Sequence, residues 1–252
     1  MKFGNRKKYD YDDFTETMYR KCLLLAKEKY TLIPFDDYRK DGKNCLWRHD
    51  IDYSPHRALR MAEIESEEKI RSTFFVSVHS NAYNFFEKEI FLIIKSIQSM
   101  GHHIGLHFDF DFYTDNNPTK LQIKKFLLNE KKILEDHLRA PIKVFSFHNP
   151  TLMNYDISDE IFAGMINVYS QYIKNNYSYI SDSSCYWRFR RLKTVLEEAE
   201  DQKLLVLTHP VCWTAVPMSP YKRFLGTVNG RRRSSIRYFQ SLLKTSNRKI
   251  IK

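Results

Sequence analysis

The feature that most constrains the fold is the alternation of short apolar runs with amphipathic segments along the 252 residues. The apolar runs are rich in β-branched and aromatic residues, which is typical of buried strands. Strands separated by helices of ten to twenty residues indicate parallel β-α units, so we expect an α/β fold, either a barrel or a wound sheet, of six or seven strands. The runs are CLWRHD (45–50), STFFVSVH (72–79), HHIGLH (102–107), IKVFSFH (142–148), YSYISD (177–182) and KLLVLTH (203–209).

The intervening segments predict helices. Ser54 and Pro55 fit the N-cap and first position of a helix that follows the first run. Residues 12–29 form an N-terminal amphipathic helix in which Asp13 and Glu16 have the spacing of a capping box, and ISDEIFAGM (157–165) continues the pattern as a short helix. No repeat or Pro/Gly-rich linker divides the chain, so we expect a single domain over residues 1–252.

Composition and charge limit the possible classes of protein. Hydrophobic residues make up 42% of the chain and aromatic residues 15%, which is typical of a globular protein and not of a disordered one. Much of the net charge of +11 lies in residues 231–252, which carry eight Lys or Arg and no acid. Helical spacing of the apolar residues there predicts a basic amphipathic helix. It would lie on anionic lipid, grip an acidic substrate, or dock its apolar side on the core.

The N-terminus and the cysteines suggest a location. The first fourteen residues become acidic where a signal peptide has its apolar core, so we expect a cytoplasmic protein, peripheral at the inner face of the membrane if the basic tail binds lipid. Four cysteines, at positions 22, 45, 185 and 212, have no paired spacing. We therefore expect reduced thiols.

Polar residues follow most of the predicted strands where each strand ends. The carboxyl ends of parallel strands meet at one rim, where active sites are built. Three histidines with two or three carboxylates on one rim match the needs of a divalent metal site. The candidates at the strand ends, from which such a set would be drawn, are Asp50, Asp52, His79, His107, Asp109, His148, Asp182 and His209.

Five separated motifs between residues 45 and 213 resemble, in order, those of the polysaccharide deacetylase (NodB-homology, carbohydrate esterase 4-like) family. They are most similar to a divergent His-Asp-x-Asp branch linked to bacterial surface-polysaccharide biosynthesis. The motifs are RHDID (48–52), GHHIGLHFDFD (101–111), FSFHNP (145–150), SDSSCYW (181–187) and VLTH (206–209). This resemblance implies a distorted (β/α) barrel of about seven parallel strands. It also implies a hydrolase that removes an acetyl or formyl group from an N-acylated sugar in lipopolysaccharide or capsule biosynthesis.

The resemblance also implies roles for residues. Asp50 would be the catalytic base and His209 the general acid, while Asp52 and His107 would bind the metal. The family's second metal-binding histidine is replaced by Asp111, and its Arg-x-Pro motif has His148 in place of the arginine. We favour His148 as the third ligand, with Asp111 or Asp109 as alternatives. Two His and one carboxylate suit Zn²⁺, although Co²⁺, Ni²⁺, Mn²⁺ or Fe²⁺ would also fit.

A second group of residues is expected at the substrate. Asp182 would raise the pKa of His209. Trp187 and Trp213 would stack on a sugar, or else belong to the core. The sugar would be nucleotide-linked or lipid-linked. The alternative function is a saccharide-binding or scaffold protein with an altered site on the same fold. Nucleic-acid binding through the tail is disfavoured, because no recognition helix, RNA-binding aromatic signature or zinc finger is visible.

Overall fold

The computed structural model describes residues 10–116, 118–150, 156–187 and 189–249. The helices in these ranges are α1 Glu16–Lys29, α2 Pro55–Glu67, α3 Lys88–Ser99, α4 Lys120–Leu138, α5 Gln171–Asn176, α6 Leu192–Glu198 and α7 Pro220–Thr245. The strands are β1 Thr31–Ile33, β2 Asn44–Ile51, β3 Thr73–Val76, β4 His103–Asp109, β5 Val144–His148, β6 Ile161–Phe162, β7 Met165–Asn167, β8 Ser178–Ser181 and β9 Lys203–Thr208.

The strands form one curled sheet in the order β6-β7-β5-β4-β3-β2-β9-β8, and β1 pairs with the first half of β2. Every pairing is parallel except that of β6 with β7. Seven parallel strands therefore run from β7 to β8, which confirms the α/β class and the distorted barrel. Among the described strands no pairing joins β8 to β6, so the sheet curls without closing.

The central strand β2 is buried along its whole length. Side chains alternate across a strand, so Trp47 and His49 face the helices while Arg48 and Asp50 face the interior of the curled sheet. On the helix side, His49 Nδ1 lies 2.6 Å from Thr208 Oγ1, and its Nε2 lies 2.8 Å from Glu65 Oε1. His49 therefore supports the strand end and does not belong to the site.

A glycine makes room inside the sheet. A Cβ added to Gly105 of β4 would lie 2.6 Å from a ring carbon of Phe75, so only glycine admits that ring here. His107 and Asp109 follow Gly105 on the same face of β4, above the apolar floor that Phe75 helps to form. The close packing of Phe75 therefore explains why position 105, the second glycine of the GHHIG segment, is a glycine.

Two predicted elements differ from the structure. Residues 161–167 form the β6–β7 hairpin and not a helix, because Ala163 and Gly164 both adopt positive φ angles (51° and 69°) at the turn. The N-terminal helix begins at Glu16 and not at residue 12, because the Thr15 side chain accepts a hydrogen bond from the Met18 amide and caps it. Residues 11–14 form a separate 3₁₀ turn.

The basic tail belongs to a longer helix than expected. Helix α7 begins at Pro220, capped by Ser219, and ends at Thr245, while residues 250–252 lie outside the described ranges. Ile236, Phe239 and Leu242 are each about half exposed (45%, 54% and 48%), so the alternative that the tail docks its apolar side on the core is wrong. None of the described helices combines the length and apolarity needed to cross a bilayer.

Candidate metal centre and active site

Asp52, His107 and His148 lie together at the rim. One nitrogen or carboxylate oxygen from each lies within 4.8 Å of the corresponding atoms of the other two. His107 Nε2 is 3.0 Å from Asp52 Oδ1, yet that oxygen has no hydrogen bond of acceptable geometry. Two ligands of one cation have this relationship, because both direct lone pairs at the ion and not at each other. The donor set therefore fits a divalent metal.

A hydroxyl orients the first histidine. His107 Nδ1 lies 2.6 Å from the Oγ of Ser146, a buried residue on the neighbouring strand β5. With the Nδ1 proton donated to Ser146, Nε2 presents its lone pair toward Asp52. That tautomer is the one that a metal ligand needs.

A carboxylate orients the second histidine. Asp109 and His148 are partners in the register of β4 and β5, and Asp109 Oδ1 lies 3.3 Å from His148 Nδ1. The hydrogen bond and the charge of Asp109 raise the pKa of His148 above its ordinary value. Of the three residues considered as third ligand, His148 joins the cluster within the described chain. Asp109 instead contacts His148, and Asp111 donates its backbone amide to Asp109 Oδ1.

Asp52 carries the negative charge of this cluster. Burial by itself would raise its pKa, but the close contact with His107 and the nearby imidazoles of His209 and His148 lower the pKa to about 2. A carboxylate that is ionised throughout the physiological pH range is the form required of a metal ligand.

Asp50 is paired with a cation that sequence reasoning missed. Arg48 Nη2 donates to Asp50 Oδ2 at 2.9 Å, and both side chains are buried. Asp50 Oδ1 is also buried and has no hydrogen-bond partner among the described residues. The third motif has no arginine that could pair with Asp50. Arg48, two positions before Asp50 in the first motif, forms this pair instead. An arginine two positions before Asp50, and so on the same face of the strand, was the available signal.

His209 and Asp182 form a second pair at the ends of β9 and β8. Asp182 Oδ1 lies 2.6 Å from His209 Nδ1 and also accepts the His209 backbone amide at 2.9 Å. Burial would lower the pKa of His209, but the hydrogen bond and charge of Asp182 outweigh it and raise the pKa to about 9. His209 Nε2 points toward the cluster, 3.7 Å from Asp52 Oδ2.

The three residues expected to bind the substrate, Asp182, Trp187 and Trp213, are buried in the structure. Trp213 is completely buried and Trp187 is 5% exposed, so neither has a face free to stack on a sugar. Trp187 stacks on Phe14, with ring centroids 5.3 Å apart, and Trp213 Nε1 donates to Asp182 Oδ2 at 2.8 Å. The tryptophans belong to the core. Asp182 is fully buried and orients His209, so it is a positioning residue.

A disulfide joins the loops that follow β8 and β9. Cys185 and Cys212 are bonded, so the expectation that all four cysteines are reduced is wrong for these two, whereas Cys22 and Cys45 are free and buried. The separation of 27 residues between these two cysteines did not indicate a disulfide in the sequence. The two cysteines meet because β8 and β9 are neighbours and each cysteine stands a few residues beyond its strand.

Two cavities adjoin the site. The smaller one, of about 80 Å³, is lined by Asp52, Ser77, His107 and His148 together with a short loop at 80–82. Ser77 Oγ is buried there without a hydrogen-bond partner among the described residues. A larger cavity of about 420 Å³ shares the walls formed by Tyr53 and Ala82.

Comparisons with known proteins by sequence, against family models and curated proteins, find no match. Solved structures with a similar chain path include wild-type BA3943, a CE4 family pseudoenzyme from Bacillus anthracis, at 16% identity and a TM-score of 0.45. The alignment covers 77% of this chain and 62% of that one, so this chain spans less than two thirds of the pseudoenzyme.

Two further structures are the chitin deacetylase from Colletotrichum lindemuthianum and a family 4 acetyl xylan esterase from Clostridium thermocellum in complex with a cobalt ion. Their identities are 14% and 15%, and their TM-scores 0.43 and 0.41. The alignments cover 76% and 74% of this chain and 83% and 84% of the other chains. These proteins are of the family that the motifs resemble.

Proposed function

We propose that this chain is a metal-dependent hydrolase that removes an acetyl or formyl group from an N-acylated sugar used in surface-polysaccharide biosynthesis. The convergence of Asp52, His107 and His148, with Asp50 on one side and His209 on the other, carries the proposal. Amide hydrolysis requires a base for water, polarisation of the carbonyl, and an acid for the departing amine. This rim brings together residues suited to all three tasks.

Asp52, His107 and His148 would hold the divalent ion. The donor set favours Zn²⁺ over related ions. When bound, such an ion lowers the pKa of water and polarises an amide carbonyl. Its positive charge also makes the nearby carboxylates of Asp50 and Asp52 mutually tolerable.

Asp50 would accept the proton of the attacking water. Arg48 occupies Oδ2, which leaves the buried Oδ1 as the acceptor. His209 would donate a proton to the leaving nitrogen, because its pKa of about 9 keeps the imidazole charged near neutral pH. The two residues face the cluster from different strands. One group can therefore remove a proton while the other delivers one.

Metal content and product release test this proposal together. Purified protein should contain close to one metal ion per chain by elemental analysis. Replacement of Asp52, His107 or His148 by Ala should weaken binding by more than about 100-fold, because removal of a ligand costs more than removal of its supporting hydrogen bond. His79→Ala is the matched control, because His79 lies outside the cluster and contacts the ring of Phe112.

Activity is measured on metal-loaded protein with a panel of N-acyl sugars, free and nucleotide-linked, by following acetate or formate by NMR. Metal that is retained in all three variants would contradict the assigned ligands. Stoichiometric metal without product from any sugar would favour the saccharide-binding alternative.

Helix α7 supports the peripheral membrane contact that we include in the proposal. Its exposed apolar residues are flanked by basic ones, which suits an anionic lipid surface. Ile236→Glu with Phe239→Glu should lower sedimentation with phosphatidylglycerol vesicles, whereas Leu121→Glu on α4, where the leucine is even more exposed (65%), should not. Equal sedimentation of both variants and the wild type would remove the membrane from the proposal.

A further inference from the structure

The larger cavity lies between the N-terminal ends of α2 and α3 and one face of α7. Its volume is about 420 Å³, and Tyr53 and Ala82 separate it from the cavity of the metal cluster. Tyr53 directly follows the ligand Asp52 in the chain. The two cavities therefore adjoin at these residues.

The lining of the cavity is strongly cationic. It contains one carboxylate, Glu89, against six cationic side chains: Arg57, Lys222, Arg223, Arg231, Arg233 and Arg237. Glu89 already accepts hydrogen bonds from Ser234 at 2.7 Å and from His56 at 3.2 Å. The excess of positive charge thus persists after the acid in the cavity is counted.

Some of these cations have acidic partners and others do not. Arg57 pairs with Glu16 at 2.8 Å, and Arg231 pairs with Glu87. Lys222, Arg233 and Arg237 form no salt bridge within the described part of the chain. Arg237 acts on Glu89 through its charge alone, so an anion that enters the cavity among these cations is stabilised.

Two glycines keep the cavity open. Gly226 and Gly230 are one helical turn apart on the face of α7 that lines the cavity, and a Cβ on either would meet no atom within 4 Å. Glycine weakens a helix interior relative to other residues. Both occur where a side chain would fill the space between the cations, so the bare backbone leaves room for a ligand.

We infer that this cavity binds a diphosphate group of the sugar substrate while the N-acyl group lies at the metal cluster. The inference rests on the proposed function and narrows the substrate to a sugar diphosphate ester. Guanidinium groups bind phosphate oxygens through paired N–H donors, and two of the three unpaired cations are arginines. The diphosphate chemistry is shared by nucleotide-linked and polyprenyl-linked sugars.

Calorimetric binding to the full chain tests the inference without requiring catalysis. The probes are pyrophosphate, uridine diphosphate and farnesyl diphosphate, each titrated with zinc-loaded wild type and with Asp52→Ala, so that binding to a metal is separated from binding to the cavity. The cavity variants are the double variant R233Q/R237Q and Gly230→Leu, which fills the space with a good helix former. The control is Arg232→Gln, which removes a charge from the same helix without lining the cavity.

Binding should persist in Asp52→Ala and weaken by about 10-fold or more in R233Q/R237Q and in Gly230→Leu, but change little in Arg232→Gln. Tighter binding of uridine diphosphate than pyrophosphate would support a nucleotide-linked substrate, and tighter binding of farnesyl diphosphate a lipid-linked one. Equal affinities would support recognition of the diphosphate alone. No binding of any probe, or equal weakening in Arg232→Gln, would overturn the inference. None of these titrations depends on deacylation, so a failure of the proposed function is seen separately in the product assay.

Discussion

The buried pair of Arg48 and Asp50 allows a quantitative prediction. The Nη2–Oδ2 distance of 2.9 Å corresponds to an attraction of about 6 kcal/mol at an effective dielectric constant of 20. The cost of removing both charges from water offsets much of it, but loss of one partner leaves the other charge buried. We expect Arg48→Met and Asp50→Leu each to lower the free energy of unfolding by about 3–5 kcal/mol.

The double variant should recover most of this loss, because neither charge then remains unpaired. Urea unfolding followed by circular dichroism gives the coupling energy of the cycle, which we expect to be about 3 kcal/mol. Lys120 and Asp159 form the control cycle, because their distance is also 2.9 Å but both side chains are about half exposed. Their coupling should stay below about 1 kcal/mol. Additive effects of Arg48→Met and Asp50→Leu would refute the argument that burial makes the pair interdependent.

Three further predictions concern other parts of the fold. In Asp182→Asn the pKa of His209 should fall from about 9, so the alkaline limb of the pH–rate profile should move to lower pH; an unchanged limb would exclude His209 as the acid. Burial raises the pKa of Glu130 from 4.5 to about 8, so its stabilisation is complete below pH 4.5 and is lost as the pH rises through 8. Melting temperatures of Glu130→Gln should therefore depend less on pH than those of the wild type. The double variant C185S/C212S should be less stable by about 3 kcal/mol, and dithiothreitol should have the same effect on wild type only.

The candidate site was largely visible in the sequence because of where its residues stand in the elements. Asp52, His107, His148 and His209 each follow an apolar run, and parallel strands present their carboxyl ends at one rim. The helix–strand alternation alone was sufficient for this prediction. It placed the residues near one another without any knowledge of which strands are neighbours.

Other features depended on neighbours that local patterns do not specify. Asp182 reaches His209 because β8 pairs with β9, and β9, the last of the described strands, pairs with β2, one of the first. The same pairings bury Trp213 against Asp182 and bring Cys185 to Cys212. The hairpin at 161–167 was mistaken for a helix because a short apolar run has no clear period.

Helix α7 is a further case in which a local pattern predicts an element but not its neighbours. Its apolar spacing predicts an amphipathic helix, but the spacing does not say which side meets the body of the protein. In the structure the polar side does, through contacts of Arg231 and Ser234 with Glu87 and Glu89. The apolar side is left to solvent or to a partner.

The sequence by itself determined most of the alternation of strands and helices, and it placed Asp50 and His107 in strands and Asp52 directly after one. Backbone geometry and the two-residue repeat of a strand are local, so composition and spacing suffice for both. Only the tertiary structure decided which strands pair, and with that the Arg48–Asp50 contact, the Asp182–His209 pair and the cationic cavity beside α7. Such contacts join residues far apart in the chain, and the burial that selects them is a property of the whole sheet and its helices.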